Sequence, residues 1–470
     1  MKEKAVKAKK GFKLPHVYIT LMIVMLIVVG LSWIIPSGEF VQVQDPNTGR
    51  MVIDPTQFNY LTKNDHISVL DFFTAIHVGI AQSGDIIFNL LIASAVLYMI
   101  EESGAISAGV HKILAVSEGK EIFIVATLTL IFTILGAIGF GEGGIPFIPL
   151  AMSVVMALGF DRMAGVATAM VGLCVGFASG VLNLYTTGLS QSLVGLPMFS
   201  GTPFRILGLL IFYIIGVTYI ILYCKKIKKD PSKSICAEEY MNQGSSQTKQ
   251  ESVPMTKARA FALLGLATVF ICMAYGASQL GWGMAEISGL YLILAVFLTI
   301  IFKQNPNEAC ITFATGATRL LPAALTIGIA RSTMVLMDQA KIVDTAIYNL
   351  SNFLDGKGSV TVLLLVYVAV IIFNFFVISG SGKAVIMMPI LGPLGQLLNI
   401  NQQVMVLVYQ YGDGFTNYLW PTSGGLIAGL SMCDIEWQDW VKFSGKLFGI
   451  LIVVAFLLIL LANAINLGPF

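Results

Sequence analysis

The chain has 470 residues, of which 56% are hydrophobic and 11% charged, against about 25% charged for an ordinary soluble domain. Apolar runs of roughly 20 residues recur along it, which excludes a soluble globular fold and predicts a polytopic helical membrane protein. The net charge of +2 carries little information, because the charges are unevenly placed.

Six lysines up to Lys13 precede an apolar run over residues 17–35. That run is too long for a signal-peptide core and lacks a small-residue cleavage site, so it is expected to remain as the first span. The lysines put the N-terminus in the cytoplasm by the positive-inside rule. Residues 37–65 are polar and predict an outside loop. Residues 67–80 have helical spacing suited to the interface. Residues 85–101 predict a span back to the cytoplasm, and residues 105–117, with His111 and Lys112, a short cytoplasmic interfacial helix. Apolar arms at 121–139 and 145–159 are joined by Phe140-Gly141-Glu142-Gly143-Gly144, which predicts a re-entrant hairpin entering from the cytoplasm. Residues 164–187 cross outward with a break expected near Asn183, and residues 204–224 return to a Lys-rich end.

Residues 230–257 are polar and predict a solvated linker between halves, its lysines explained by topology rather than by a nucleic-acid partner. Two spans, 258–280 and 287–302, open the second half where the first had one. That extra crossing turns the second copy over. Residues 322–337 then run outward, 341–353 lie at the outer interface, a hairpin at 360–398 enters from outside, 404–420 cross inward, and 447–461 end outside.

Several stretches of the two halves match. Glu142-Gly143-Gly144-Ile145-Pro146 aligns with Gly382-Lys383-Ala384-Val385-Ile386, and Asn183-Leu184-Tyr185-Thr186-Thr187-Gly188 aligns, with a one-residue gap, with Asn417 through Gly424. Preserved order at an offset of about half the chain is the mark of an internal repeat in a transporter. The expected fold is an all-α polytopic membrane protein of two inverted repeats, each with a re-entrant hairpin and a broken transmembrane helix. The expected divisions are 1–36 (N-terminus and first span), 37–229 (first repeat), 230–257 (linker) and 258–470 (second repeat).

Broken backbone and ionisable groups at membrane depth are tolerated only in protein or beside a wet cavity, where they are functional suspects. Half-helix N-termini offer N–H groups to anions, and unwound carbonyls offer oxygens to cations. The expected ligands of a small charged solute and a coupling ion are Glu142, Gly143, Asn183, Thr186, Thr187, Ser379, Ser381, Lys383, Asp413, Thr416, Asn417, Thr422 and Ser423. Sodium sites are expected near Asn183 and Asn417. Arg331 reads more readily as a structural arginine, and Lys383 equally as the partner of a substrate carboxylate or of a structural acid. Both charge signs near the tips favour an amino acid over a dianion. No cofactor is expected; the coupling ion is sodium or a proton. The six cysteines and four histidines show neither disulfide nor metal-ligand spacing. An ion channel and a membrane-embedded enzyme are the rival classes. A channel calls for a continuous polar stripe or a symmetric ring, and an enzyme for a catalytic set that is missing from these motifs.

The opening Pro15-His16-Val17-Tyr18, with Trp33-Ile34-Ile35-Pro36-Ser37-Gly38-Glu39-Phe40, resembles the YfcC type of the C4-dicarboxylate anaerobic carrier-like family. So do Glu142 through Pro149, Ser381-Gly382-Lys383-Ala384, Gly412 through Asn417, and Pro421-Thr422-Ser423-Gly424. That family is related to the p-aminobenzoyl-glutamate carriers and the divalent anion/sodium symporters. The resemblance implies the elevator-type ion transporter superfamily fold, a homodimer with a scaffold and a sliding transport domain, and carriage of dicarboxylates or basic amino acids by uptake or exchange. This chain departs from the family pattern at Gly143, where an acid is common, and at Leu184, where Pro is common.

Overall fold

The computed structural model describes residues 17–44, 51–62, 66–109, 112, 119–139, 141–238, 240–241, 254–276, 280, 282–354 and 356–468. Parts of the interfacial segment at 105–117, including His111, and of the linker at 230–257 lie outside the described residues, as do Phe140 and the side chain of Glu142.

The first half begins with α1 (Val17–Ile34), an antiparallel strand pair β1 (Gly38–Gln44) and β2 (Met51–Tyr60), α2 (Val69–Gln82) and α3 (Gly84–Glu102). It continues with α4 (Glu121–Ala137), a 3-10 turn (Glu142–Phe147), α5 (Ile148–Ala157), α6 (Arg162–Ser179), a wide turn (Leu184–Gly188), α7 (Leu189–Leu193) and α8 (Thr202–Lys229). The second half holds α9 (Lys257–Tyr275), α10 (Met284–Ile301), α11 (Pro306–Arg319), α12 (Leu321–Gln339) and α13 (Val343–Leu354). It ends with α14 (Ser359–Phe376), α15 (Gly380–Leu397), α16 (Gln402–Thr416), α17 (Gly424–Ser431) and α18 (Trp437–Ala464). Among the described residues, six helices (α3, α6, α8, α10, α14 and α18) are long and apolar enough to cross a bilayer, and α11 with α12 forms a pair bent by 45°.

The strand pair is a feature the polar loop reading did not contain. Its register is held from the second half. The Gly38 N–H donates to the Lys341 carbonyl at 2.9 Å, Ser37 Oγ to the Ala340 carbonyl at 2.8 Å, and the Phe40 N–H to Asp344 Oδ2 at 3.1 Å. The beginning of the linker is likewise anchored rather than free. Asp161 caps α6 through the Ala164 N–H at 2.8 Å, and its second oxygen accepts from Tyr223 and Ser234, each at 2.5 Å.

Packing divides the chain into two bodies. In the first, α1 lies on α12 as α10 lies on α3, and α2 lies on α12 as α11 lies on α3. Contacts that come in such reciprocal pairs are the mark of a two-fold relation. Small residues let these helices meet: a Cβ at Gly79 would fall 2.5 Å from the Gly328 carbonyl, and one at Gly316 would fall 2.8 Å from Ala95 Cα. In membranes close backbone approach of this kind replaces the missing hydrophobic drive.

The second body repeats the pattern. The arms α4 and α5 pack on α6, as α14 and α15 pack on α16, and α8 and α18 close each set. The backbones of α4 and α6 touch through Gly136, Gly172 and Gly176, where a Cβ on Gly176 would come within 2.0 Å of the Thr133 carbonyl. The two broken helices cross where Gly414 sits against Ala178, a Cβ there reaching 2.4 Å from its Cα. As a result α6 is 89% buried while the other five long spans are 28–44% buried. The second body therefore has a polar, interrupted helix pair at its centre and lipid-facing spans outside it.

Candidate functional site

Each broken helix ends because its sequence cannot continue in hydrocarbon. α6 stops at Gly180, which takes the left-handed φ of +64° that a side chain resists. The chain then turns at Asn183, whose Oδ1 accepts from the N–H groups of Tyr185 (3.1 Å) and Thr186 (3.2 Å). The Leu182 N–H is satisfied by the Ala137 carbonyl of α4 at 2.9 Å. At the second break, side-chain donors from neighbouring segments satisfy freed carbonyls. Trp440 Nε1 donates to the Tyr418 carbonyl at 2.8 Å and Trp437 Nε1 to that of Leu419 at 3.0 Å. Ser379 and Ser423 cap α15 and α17, accepting from the N–H groups of Gly382 (3.2 Å) and Leu426 (3.4 Å).

Both hairpin tips and both breaks meet one cavity of about 540 Å³, within the usual range for small-molecule sites of about 300–1,000 Å³. Gly139, Gly141 and Gly143 line it from the first tip, and Tyr185 and Thr186 from the first break. Ser379, Gly380 and Ser381 line it from the second tip, and Asn417, Thr422, Ser423, Gly424 and Gly425 from the second break. The opposite wall belongs to the other body: Gln82 and Asp85 at the α2–α3 junction, Met284 of α10, and Ile327, Arg331 and Met334 of α12. The α15 and α17 N-termini both open on this space, so the positive ends of two helix dipoles face it. Thr186 Oγ1 and Thr422 Oγ1 are buried without a protein partner, as is Asn183 Nδ2. Unspent hydrogen-bonding groups beside a cavity whose lining is mostly apolar are what a solute or its water would use.

The remaining expected ligands stand behind this wall. Thr187 Oγ1 donates to Gln410 Oε1 at 3.0 Å, and Gln410 Nε2 donates to the Phe177 carbonyl at 2.7 Å, tying the two broken helices together. Lys383 and Asp413 are fully buried and face each other, Nζ to Oδ1 at 2.7 Å. Asn374, an amide inside the apolar α14, joins the group. Its Nδ2 is within reach of Thr416 Oγ1 (2.7 Å), Asn417 Oδ1 (2.9 Å) and the Asp413 carbonyl (3.1 Å), while its Oδ1 accepts from Lys383 Nζ at 2.5 Å. Asn417 Nδ2 donates to Asp413 Oδ2 at 3.3 Å. The second break is thus braced by a charge pair and two amides.

Residues 14–464 match the family described as DcuC, C4-dicarboxylate anaerobic carrier. The chain belongs to that family. It is accordingly a multi-pass membrane transporter, not an enzyme. A relative in Escherichia coli (strain K12), named "Putative basic amino acid antiporter YfcC", is 27% identical over 487 residues, covering 96% of each chain. Among solved structures, the chain is similar to the Alcanivorax borkumensis YdaH transporter, with 16% identity, a TM-score of 0.47, and 97% of this chain and 100% of that one covered. It is also similar to Neisseria gonorrhoeae MtrF, of a class of antimetabolite efflux pumps, with 16% identity, a TM-score of 0.43, and 96% and 95% covered.

Four participants in the site were not among the expected ligands. Asn374 carried a usable signal, since a lone amide in an apolar span is itself a suspect. Asp85 and Gln82 sit at a helix junction with no motif around them. Arg331, read as structural, lines the cavity while its Nε donates to Gln82 Oε1 at 3.2 Å.

Proposed function

We propose that this DcuC-family transporter carries a small charged metabolite, best matched by an amino acid and in particular a basic one, taken up or exchanged by an elevator motion. The observation that carries the substrate class is the mixed charge of the cavity. Two helix N-termini and Arg331 suit a carboxylate, and Asp85 on the facing wall suits an ammonium or guanidinium group. The buried Lys383–Asp413 pair is internally neutral and adds to neither side. The relative named as a basic amino acid antiporter fits the same reading.

Two features support the sliding step. The cavity lies between the two bodies, and the bodies touch unequally. The first tip packs on α3, its Phe147 ring also stands 3.7 Å, centroid to centroid, from that of Phe270 on α9, and α17 packs along α12. The counterparts under the two-fold, α15 on α12 and the wide turn on α3, touch far less, and α15 meets β2 and α13 instead. Exchanging the closed pair for the open pair would carry the cavity across the membrane. In this proposal the two halves are antiparallel repeats, with the N-terminus cytoplasmic and the C-terminus outside. The homodimer implied by the family resemblance completes it.

A C4-dicarboxylate is the second reading, favoured by the two N-termini. Thermal shift of the purified protein separates them. Arginine, lysine or ornithine is expected to raise the unfolding midpoint saturably, with the response lost in Asp85→Asn and Arg331→Ala. A response to succinate or fumarate that survives Asp85→Asn would select the dicarboxylate instead.

A further inference from the structure

The Lys383–Asp413 pair touches neither the cavity nor solvent, and the matched positions of the first half, Gly143 and Ser179, carry no charge. Lys383 Nζ is enclosed by Asp413 Oδ1 at 2.7 Å, Asn374 Oδ1 at 2.5 Å and the Val377 carbonyl at 3.3 Å. A carboxylate, an amide oxygen and a carbonyl freed at the end of a half-helix are the donors that hard cations take from broken membrane helices. The negative end of the α14 dipole points the same way. In the first half, the sequence match puts Gly143 where the second has Lys383 and Ser179 where it has Asp413. Ser179 turns its hydroxyl to the Gly176 carbonyl of its own helix at 2.6 Å. At these matched positions the two halves differ in charge.

We infer that the Lys383 ammonium is a tethered cation standing in for a coupling ion at the second break, so that this half-site is permanently loaded and takes no sodium. The inference rests on the carrier reading above. A bonded ammonium cannot leave with the solute, so the sodium gradient provides no drive at this half. Exchange of one solute for another is the mode that suits such a site.

Replacing Lys383 by the residue at the matching first-half position tests it. In purified Lys383→Gly, the Asp413, Asn374 and Val377 oxygens keep their places without their cation. Sodium or lithium chloride is expected to raise its unfolding midpoint saturably, beyond any rise in the wild type, while choline chloride does not. Uptake by the variant should gain the same dependence. Adding Asp413→Asn should remove the sodium response. A sodium response in Lys383→Gly no larger than in the wild type overturns the inference, and so does a variant that fails to fold in sodium and choline alike. The midpoint needs no transported solute. Failure there sinks this inference alone, whereas a wild type that moves no solute sinks the carrier reading.

Discussion

Asp413→Asn is expected to abolish uptake and to lower stability by about 3–5 kcal/mol, the usual cost of leaving one member of a buried ion pair uncompensated. Lys383 would keep Asn374 Oδ1 and the Val377 carbonyl, but neither carries a charge, and no water reaches Nζ to replace the carboxylate. The damage should spread to the cavity, because Gly380 of the second tip sits directly over Asp413. A Cβ there would lie 3.1 Å from Asp413 Oδ2 and 2.6 Å from Thr186 Cγ2 of the other break. Removing both charges in Lys383→Met with Asp413→Leu is expected to recover much of the stability, since an apolar pair of similar volume often replaces a buried ion pair at little cost. Uptake should not return with it. A double variant that transports normally would reduce the pair to a replaceable brace.

A disulfide between positions 327 and 424 should stop transport while leaving the fold intact. Gly424 opens α17 against α12, where a Cβ would lie 2.6 Å from Ile327 Cα and 3.2 Å from its Cβ. That is close to the Cβ separation of about 3.5–4.5 Å that a disulfide needs. With the six native cysteines replaced, the Ile327→Cys, Gly424→Cys pair should cross-link on oxidation. Flux should then fall to background and return on reduction, as expected if α17 must leave α12 in each cycle. Full flux through a quantitatively cross-linked protein would rule out sliding at this contact. Each cysteine alone supplies the control for the crowding it introduces.

The parts of the site legible in the sequence are those where the chain violates the rules of a membrane helix. Gly180 and Asn183, the run from Asn417 to Ser423, and the Gly-rich joint before Pro146 each stand out from apolar surroundings. The helices break at or beside them because hydrocarbon offers no other partner for freed backbone groups. Elements without that contrast were harder to see. α11 has only weak apolar character, opening on Pro306-Asn307-Glu308, and it packs by Gly316 against α3 rather than by a hydrophobic face. The strand pair depends on Ala340, Lys341 and Asp344, some 300 residues away. α18 begins at Trp437 rather than near 447, because Trp437 and Trp440 turn inward to serve the second break despite the charges around them. The partnership of Lys383 with Asp413 and Asn374 is a matter of distance in space. Sequence marks each residue as costly at that depth but does not state whether the charge meets a solute or another side chain.

Counterflow in liposomes holding the purified protein tests the carrier assignment most directly. Vesicles preloaded with unlabelled arginine, lysine or ornithine should accumulate the same labelled amino acid transiently, with a rate that saturates in external solute. Arg331→Ala should remove that accumulation. Labelled solute that only equilibrates, at a rate proportional to its concentration and indifferent to preloading, would contradict a shared cavity that alternates between two faces and would point to a channel.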